Sequence, residues 1–185
     1  MKSTILFLIV SLTFVSANAQ TKKISYEYNR FLSIKGTEYS VATVESWSKF
    51  KRIKSNLLFI NTKTGETKQI DFPDDANLRT ITQIKLDSLN INVVLIVANT
   101  IDWNDKKGIE WNDPMQIFIS SPSGNEMQQL TENNYSVNTW SINEFTGTLI
   151  VSGYFDTNKN NKKDTNEENA ILLYDLTTLK LKKQL

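Results

Sequence analysis

Short hydrophobic segments recur between polar segments along the whole chain after residue 20. The apolar segments are short, rich in Val, Ile, Leu, Thr, Tyr and Phe, and separated by turn-forming residues. This pattern is typical of half-buried β-strands, and no long segment has the period of an amphipathic helix. It predicts an all-β protein with strands at 24–32, 40–48, 56–61, 67–71, 80–86, 93–101, 115–121, 126–130, 137–143, 148–155, 170–175 and 180–184.

The predicted strands repeat with a period of roughly 55 residues. Residues 95–97 align with 149–151, and without a gap Asp102 then falls on Asp156 and Asp113 on Glu167. A weaker copy precedes these, in which residues 58–60 align with 117–119. Each period holds four strands and a long loop between the second and third, and the repeats are predicted at about 24–72, 80–131 and 137–185.

Four-stranded units in tandem are typical of β-propeller blades. The sequence therefore predicts one β-propeller-like domain at 20–185 with about three blades, and a β-sandwich or an open stack of antiparallel sheets is the alternative. Propellers normally have at least four blades. Three blades leave an open face, which a homodimer closing a six-blade ring would cover.

One segment, at 115–152, is similar to a TolB-type propeller repeat. The strand Gln116-Ile117-Phe118-Ile119 leads through Gly124 to Gln129-Leu130-Thr131, and Trp140-Ser141 precedes the next apolar strand. That family usually has Pro-Asp-Gly directly after Trp-Ser, and this chain has Ile-Asn-Glu-Phe-Thr-Gly at 142–147. The resemblance covers about one repeat and implies a fold, since propellers host many functions.

The loop at 156–167 carries the most specific chemical pattern in the chain, the ligand spacing of an EF-hand-type calcium loop. Calcium takes six to eight oxygen ligands, and position 7 of such a loop contributes its backbone carbonyl. No helix pattern flanks the loop, so it is predicted to join two strands and to bind Ca²⁺ in a structural role. A solvated hairpin tip is the alternative. The predicted ligands are Asp156, Asn158, Asn160, Lys162, Asp164 and Glu167.

The equivalent loop at 102–113 is a degraded copy of that pattern. Carboxylates and an amide keep four positions, at Asp102, Asn104, Glu110 and Asp113. Position 5 is Lys106, which does not bind cations, although Asp105 offers a shifted ligand. Metal binding is therefore expected mainly at 156–167.

Aromatic and basic residues near these loops suggest binding surfaces, each with a structural alternative. Trp103 and Trp111 bracket the loop at 102–113, either as exposed binding aromatics or, as we expect, packed on neighbouring blades. Trp140 is expected to face the core. The third equivalent segment, 49–54, is basic and lacks carboxylates. It is expected to be a solvated hairpin tip.

The composition excludes several chemistries. The chain has no His and no Cys, which removes His-based triads, cysteine nucleophiles and the usual zinc sites. A formal net charge of +1 does not match a nucleic-acid binder. A carboxylate-dependent glycosidase using Asp102, Glu110, Asp113 or Asp156 remains the enzymatic alternative.

The N-terminus has the pattern of an export signal. Lys2 precedes an apolar run at 5–15, and Ala17-Asn18-Ala19 forms a small-residue cleavage site. The run is too short for a stable membrane span. The sequence thus predicts a signal peptide at 1–19 and an exported, periplasmic or extracellular, non-enzymatic protein. We expect it to bind a protein or glycan partner through its loop face.

Overall fold

The computed structural model describes residues 23–103, 108–158, 160 and 162–185. The predicted signal peptide at 1–19 lies outside the described residues. So do four positions of the loop at 102–113, Asn104, Asp105, Lys106 and Lys107, and two of the loop at 156–167, Lys159 and Asn161.

Twelve strands form three four-stranded antiparallel sheets, which confirms the all-β, propeller-like fold. In each sheet the strands are neighbours in chain order, and we call the sheets the first, second and third blade. The strands of the first blade are β1 (Ile24–Ser33), β2 (Tyr39–Ser48), β3 (Lys51–Asn61) and β4 (Thr67–Ile70). Those of the second are β5 (Asn77–Leu86), β6 (Ile91–Asn99), β7 (Met115–Ser120) and β8 (Gln128–Gln129). Those of the third are β9 (Tyr135–Asn143), β10 (Thr148–Phe155), β11 (Asn169–Asp175) and β12 (Lys180–Gln184).

Every predicted strand has a counterpart, and the largest differences lie at the start of β3, at the start of β5 and in the length of β8. β3 begins five residues earlier than the apolar pattern indicates, because its polar first half pairs with β2 up to the hairpin tip. β8 has only two residues, and Leu130 after it donates its N–H to Ile117 across the edge. Among the described residues the only helix is a single 3₁₀ turn, Asp87–Leu89, and no helix is long and apolar enough to cross a membrane.

Two hydrophobic cores hold the blades together face to face. One lies between the first and second blades and includes Val41, Phe59, Ile96 and Phe118. The other lies between the second and third blades and is built around Leu95, Ile117, Leu149, Leu172 and Tyr135. The second blade is therefore apolar on both faces, and the outer faces of the first and third blades have no neighbouring blade among the described residues.

The two cores correct the repeat alignment by one residue. Leu95 faces the third blade, whereas Leu149, which the gapless alignment places over it, faces the second. Val94 faces the first blade, so Val94 is the rotational equivalent of Leu149. A shift of one residue moves a strand's side chains to the opposite face. The alignment therefore needs one deletion between β6 and the loop that follows it.

Trp140 packs against the core between the second and third blades, as the sequence predicts. It lies opposite Val151 across the β9–β10 pair, so both side chains point to the second blade. This position confirms the prediction that Trp140 faces the core.

Candidate functional site: two equivalent loops

The loop at 156–167, here the downstream loop, joins β10 to β11 at one end of the third blade. Its first and last predicted ligands are buried carboxylic residues: Asp156 is 2 % exposed and Glu167 is 4 % exposed. A buried charge requires hydrogen bonds and a compensating charge. The positions at which an EF-hand-type loop begins and closes are thus the positions that this loop buries.

Glu167 is held by hydrogen bonds from both ends of the loop. Its Oε1 accepts from the Thr157 N–H at 2.7 Å and the Thr157 hydroxyl at 3.2 Å, and its Oε2 accepts from the Asp164 N–H at 3.0 Å. The Asp164 backbone bond, followed by the Thr157 bonds, holds the pKa of Glu167 below its usual range against an opposing effect of burial. Glu167 is therefore a carboxylate at neutral pH.

The alternating polar residues curl the backbone by side-chain to backbone bonds. The N–H of Asn160 lies 3.2 Å from Asp156 Oδ1 and 3.0 Å from Asn158 Oδ1, and the N–H of Lys162 donates to Asn160 Oδ1 at 2.9 Å. The amide groups of Asn158 and Asn160 both donate to Asp164 Oδ2. The predicted ligand residues thus form one connected network.

The carboxylates of this network do not form a ready cluster. Among the described residues, no group of three or more Asp, Glu, His or Cys side chains is placed to hold a metal ion.

The Lys163 amino group lies over the Tyr154 ring, 5.2 Å from its centroid, and donates to Asn169 Oδ1. Burial raises the pKa of the Tyr154 hydroxyl, and the nearby Glu167 and Asp156 raise it further.

The loop at 102–113, here the upstream loop, has the same pattern of backbone hydrogen bonds in the second blade. Asp113 Oδ1 accepts from the Trp103 N–H at 3.3 Å and Asp113 Oδ2 accepts from the Glu110 N–H at 2.6 Å. In the downstream loop, Glu167 accepts the same two backbone bonds, from the N–H groups of Thr157 and Asp164. All three residues of the downstream loop lie 54 positions after their counterparts in the upstream loop. Because a carboxylate at position 12 spans positions 2 and 9 in both loops, the two loops are structural equivalents.

The upstream loop is bound to its own blade by Arg79 of β5 and Asn99 of β6. Asn99, in β6, donates its amide to the Asp113 carbonyl and accepts from Arg79 Nε at 2.7 Å. Arg79 also donates to the Trp111 carbonyl. The N–H of Gly108 donates to Asp102 Oδ2 at 3.1 Å. The sequence did not indicate the roles of Arg79 and Asn99, because both lie within strands as ordinary polar residues.

The two tryptophans of the upstream loop differ in burial. Trp103 is buried, packs edge-on against Tyr154 of the third blade at 6.2 Å, and donates its indole N–H to the Asn133 carbonyl. This confirms the packing prediction for Trp103. Trp111 is 76 % exposed, so the same prediction is wrong for Trp111. Its backbone is held by Arg79 while its ring projects into solvent.

A cleft of about 580 Å³ opens between the two loops. It is lined by Ile101, Asp102, Trp103, Glu132, Asn133, Asn134 and Asp156. Two of the carboxylic residues proposed for a glycosidase, Asp102 and Asp156, therefore lie on one cleft. Asp113 is instead buried and occupied by backbone bonds. Glu132 has no motif around it, and the sequence did not single it out.

The basic tip at 49–54 has most of its charges paired. Lys51 lies 3.1 Å from Asp75, and Arg52 lies 3.4 Å from Glu45. The tip residue Phe50 is almost fully exposed. These ion pairs agree with a solvated hairpin.

No protein-family model and no curated protein matches this chain. Two solved structures resemble it weakly. A crystal structure of an ACO/RPE65 chimera is 14 % identical, with 82 % of this chain and 35 % of that chain covered at a TM-score of 0.37. A variant of the Synechocystis apocarotenoid oxygenase is 13 % identical, with 79 % and 35 % covered at a TM-score of 0.35. This chain spans about a third of the length of those proteins, and the likeness is too weak to indicate a function.

Proposed function

We propose that this is an exported, non-enzymatic, β-propeller-like protein that binds Ca²⁺ through the downstream loop and binds a protein or glycan partner. The calcium ion would stiffen the loop. The observation that carries the metal proposal is Glu167, a buried carboxylate with no ion pair to a lysine or arginine among the described residues. A buried charge without such a partner favours a bound cation.

The donor set of the loop suits a hard cation. It offers the carboxylates of Asp156, Asp164 and Glu167, the amide oxygens of Asn158 and Asn160, and the Lys162 carbonyl. Oxygen-only ligands in a flexible loop match calcium better than transition metals, which prefer imidazole or thiolate. The curled backbone keeps these groups in one short segment, where a small rearrangement would bring them to a common centre.

The direct test is thermal unfolding with millimolar Ca²⁺ and with excess chelator. A ligand that binds only the folded state at 100 times its Kd stabilises by about 2.7 kcal/mol. In a chain of this size that is a rise in Tm of about 5–10 °C. We expect this rise in the wild type and its loss in Asp156→Ala and Glu167→Ala.

Glu168→Ala is the matched control. Glu168 is the exposed neighbour of Glu167, so its removal changes net charge equally and leaves the loop network intact. It should keep the calcium-dependent rise. Identical melting curves of the wild type in calcium and in chelator would refute the metal proposal.

The export and oligomer proposals have their own measurements. Export would be tested by N-terminal sequencing of the mature protein, with Gln20 expected first. The six-blade ring predicts twice the chain mass in solution, and a monomer mass with and without calcium would eliminate it.

The second candidate is a carbohydrate-active enzyme, favoured by the cleft in which Asp102 and Asp156 lie beside Trp103. Paired carboxylates act as acid and base or nucleophile in glycosidases. Under this alternative, Asp102→Asn abolishes hydrolysis of some glycan and leaves the calcium-dependent Tm unchanged. Absence of hydrolysis across neutral and acidic glycans would leave the binding function standing alone.

A further inference from the structure

We infer that the outer face of the first blade carries a binding cavity for a short, neutral saccharide. The inference deepens the proposed partner binding by naming a ligand class and by placing it away from the calcium loop. The cavity measures about 290 Å³ and is lined by Tyr26, Val44, Ser46, Lys54, Asn56, Gln69 and Asp71.

The strand register explains why these side chains share one face. Tyr26 lies opposite Ser46, and Ser46 lies opposite Lys54. In the next row, Tyr28 lies opposite Val44 and Val44 opposite Asn56. Directly opposed residues of antiparallel strands point to the same side. The cavity therefore runs across the sheet from Tyr26 of β1 to Gln69 of β4 and to Asp71, which follows β4.

This face differs from the equivalent face of the second blade. In the second blade, the side chains of β6 and β7 that point toward the first blade, including Ile96 and Phe118, are apolar and buried. On the first blade the corresponding area holds a lysine, amides and a carboxylate. Terminal repeats of stacked proteins carry such polar outer faces because no further repeat covers them. The polarity favours a small ligand over another blade, so the inference excludes the six-blade ring, in which a blade of a second copy would cover this face.

The polar groups of the cavity are fixed in orientation. Asn56 is 7 % exposed, and its Oδ1 accepts from the Phe72 N–H at 3.1 Å. No described residue accepts from its Nδ2, so this amide, whose oxygen is held by Phe72, presents an accessible donor to the cavity. Gln69 donates to Asp71 Oδ1 at 2.8 Å, which leaves its Oε1 as an acceptor. A polyhydroxylated ligand satisfies fixed donors and acceptors of this kind.

Charge and aromatic exposure select the ligand class. The Lys54 amino group lies 4.0 Å from Asp71 Oδ1, so the two charges offset each other and the cavity is suited to a neutral ligand. Tyr26 and Tyr28 are 63 % and 58 % exposed. Aromatic rings at the rim give an apolar surface with a polar hydroxyl end. The apolar C–H face of a pyranose ring and its hydroxyl groups complement both features.

The test is saturation-transfer-difference NMR of the mature chain with maltose, cellobiose, lactose and N,N′-diacetylchitobiose at millimolar concentration. We expect saturation transfer to at least one of them. Tyr26→Ala should weaken its binding about tenfold, which corresponds to about 1.4 kcal/mol. Phe31→Ala is the matched control, because Phe31 is an exposed aromatic residue of the same strand outside the cavity.

Four results would overturn the inference. They are no transfer to any of the disaccharides, an equal loss in Tyr26→Ala and Phe31→Ala, binding only to an acidic disaccharide such as digalacturonate, and a dimer mass that Tyr26→Ala returns to a monomer. The last result would identify a second copy as the occupant. A calcium-dependent Tm that persists while saccharide binding fails would overturn only this inference.

Discussion

The downstream and upstream loops share one backbone geometry and differ in the side chains that stabilise it. In both, a carboxylate at position 12 receives the N–H groups of positions 2 and 9. The downstream loop adds a network of its own polar side chains. The upstream loop is instead bound to its blade through Arg79 and Asn99. The downstream loop contacts its strands through Lys163, which donates to Asn169 of β11. The same loop geometry is thus stabilised mainly by polar side chains of the loop in one case and by side chains of the strands in the other.

This difference suggests how calcium dependence is divided between the loops. A loop tied to a strand by hydrogen bonds from Arg79 and Asn99 keeps its shape without an ion. A loop that relies on its own carboxylates and amides gathers like charges, and a cation offsets their repulsion. We therefore predict that the downstream loop responds to calcium and that the upstream loop does not.

The largest expected effect is that of Asp113→Ala. Removing this buried carboxylate leaves the N–H groups of Trp103 and Glu110 without their acceptor, at a cost of about 1–3 kcal/mol in the free energy of unfolding. The loss should be the same in calcium and in chelator, measured by urea denaturation. A loss seen only in calcium would place a metal in the upstream loop and end the contrast.

A second effect concerns the amide ligands of the downstream loop. The double variant Asn158→Ala/Asn160→Ala removes two oxygen donors, and we expect calcium affinity by titration calorimetry to fall at least about tenfold. Lys162→Ala is the control, since only its backbone carbonyl is a predicted ligand. Its affinity should hold or rise slightly, because a positive charge leaves the site. Equal losses in both variants would contradict the ligand assignment.

A smaller effect is expected for Arg79→Met, which keeps the length of the side chain and removes its donors. The loss of two hydrogen bonds should cost about 1 kcal/mol locally. Hydrogen exchange of residues 108–113 should accelerate, and that of 156–167 should not change. Faster exchange in both loops would mean that the loops are coupled through the cleft.

The smallest effect is a pH dependence of Glu167. Its pKa is lowered in the folded state, so its contribution to stability is present above the unfolded pKa of about 4.3 and is lost as pH falls through the lower folded value. Glu167→Gln should flatten the stability curve of the chelated protein below about pH 4.5, measured by urea denaturation. Asp113→Asn serves as the comparison in the upstream loop. An unchanged curve in Glu167→Gln would remove Glu167 from the acid transition.

The alternation of apolar and polar residues was sufficient to predict twelve strands, three repeats and the position of both loops. That is because strand periodicity and turn residues are local properties. The ligand spacing at 156–167 is also local, so the carboxylates that the loop buries were identified without a structure. The sequence also indicated Asp113, as a ligand of a degraded loop. It did not indicate that the Asp113 carboxylate bridges the loop backbone.

The assignment of faces required the tertiary structure. Whether Val94 or Leu95 is the counterpart of Leu149 depends on a one-residue shift, which changes the buried face without changing the composition of the strand. The exposure of Trp111, the ties of Arg79 and Asn99, and the cavity beneath Tyr26 depend on contacts between residues far apart in the chain. Local sequence patterns were sufficient to place the strands and to recognise the ligand spacing of the downstream loop. Which surfaces are buried depended on the packing of the blades, because burial arises from contacts between distant residues.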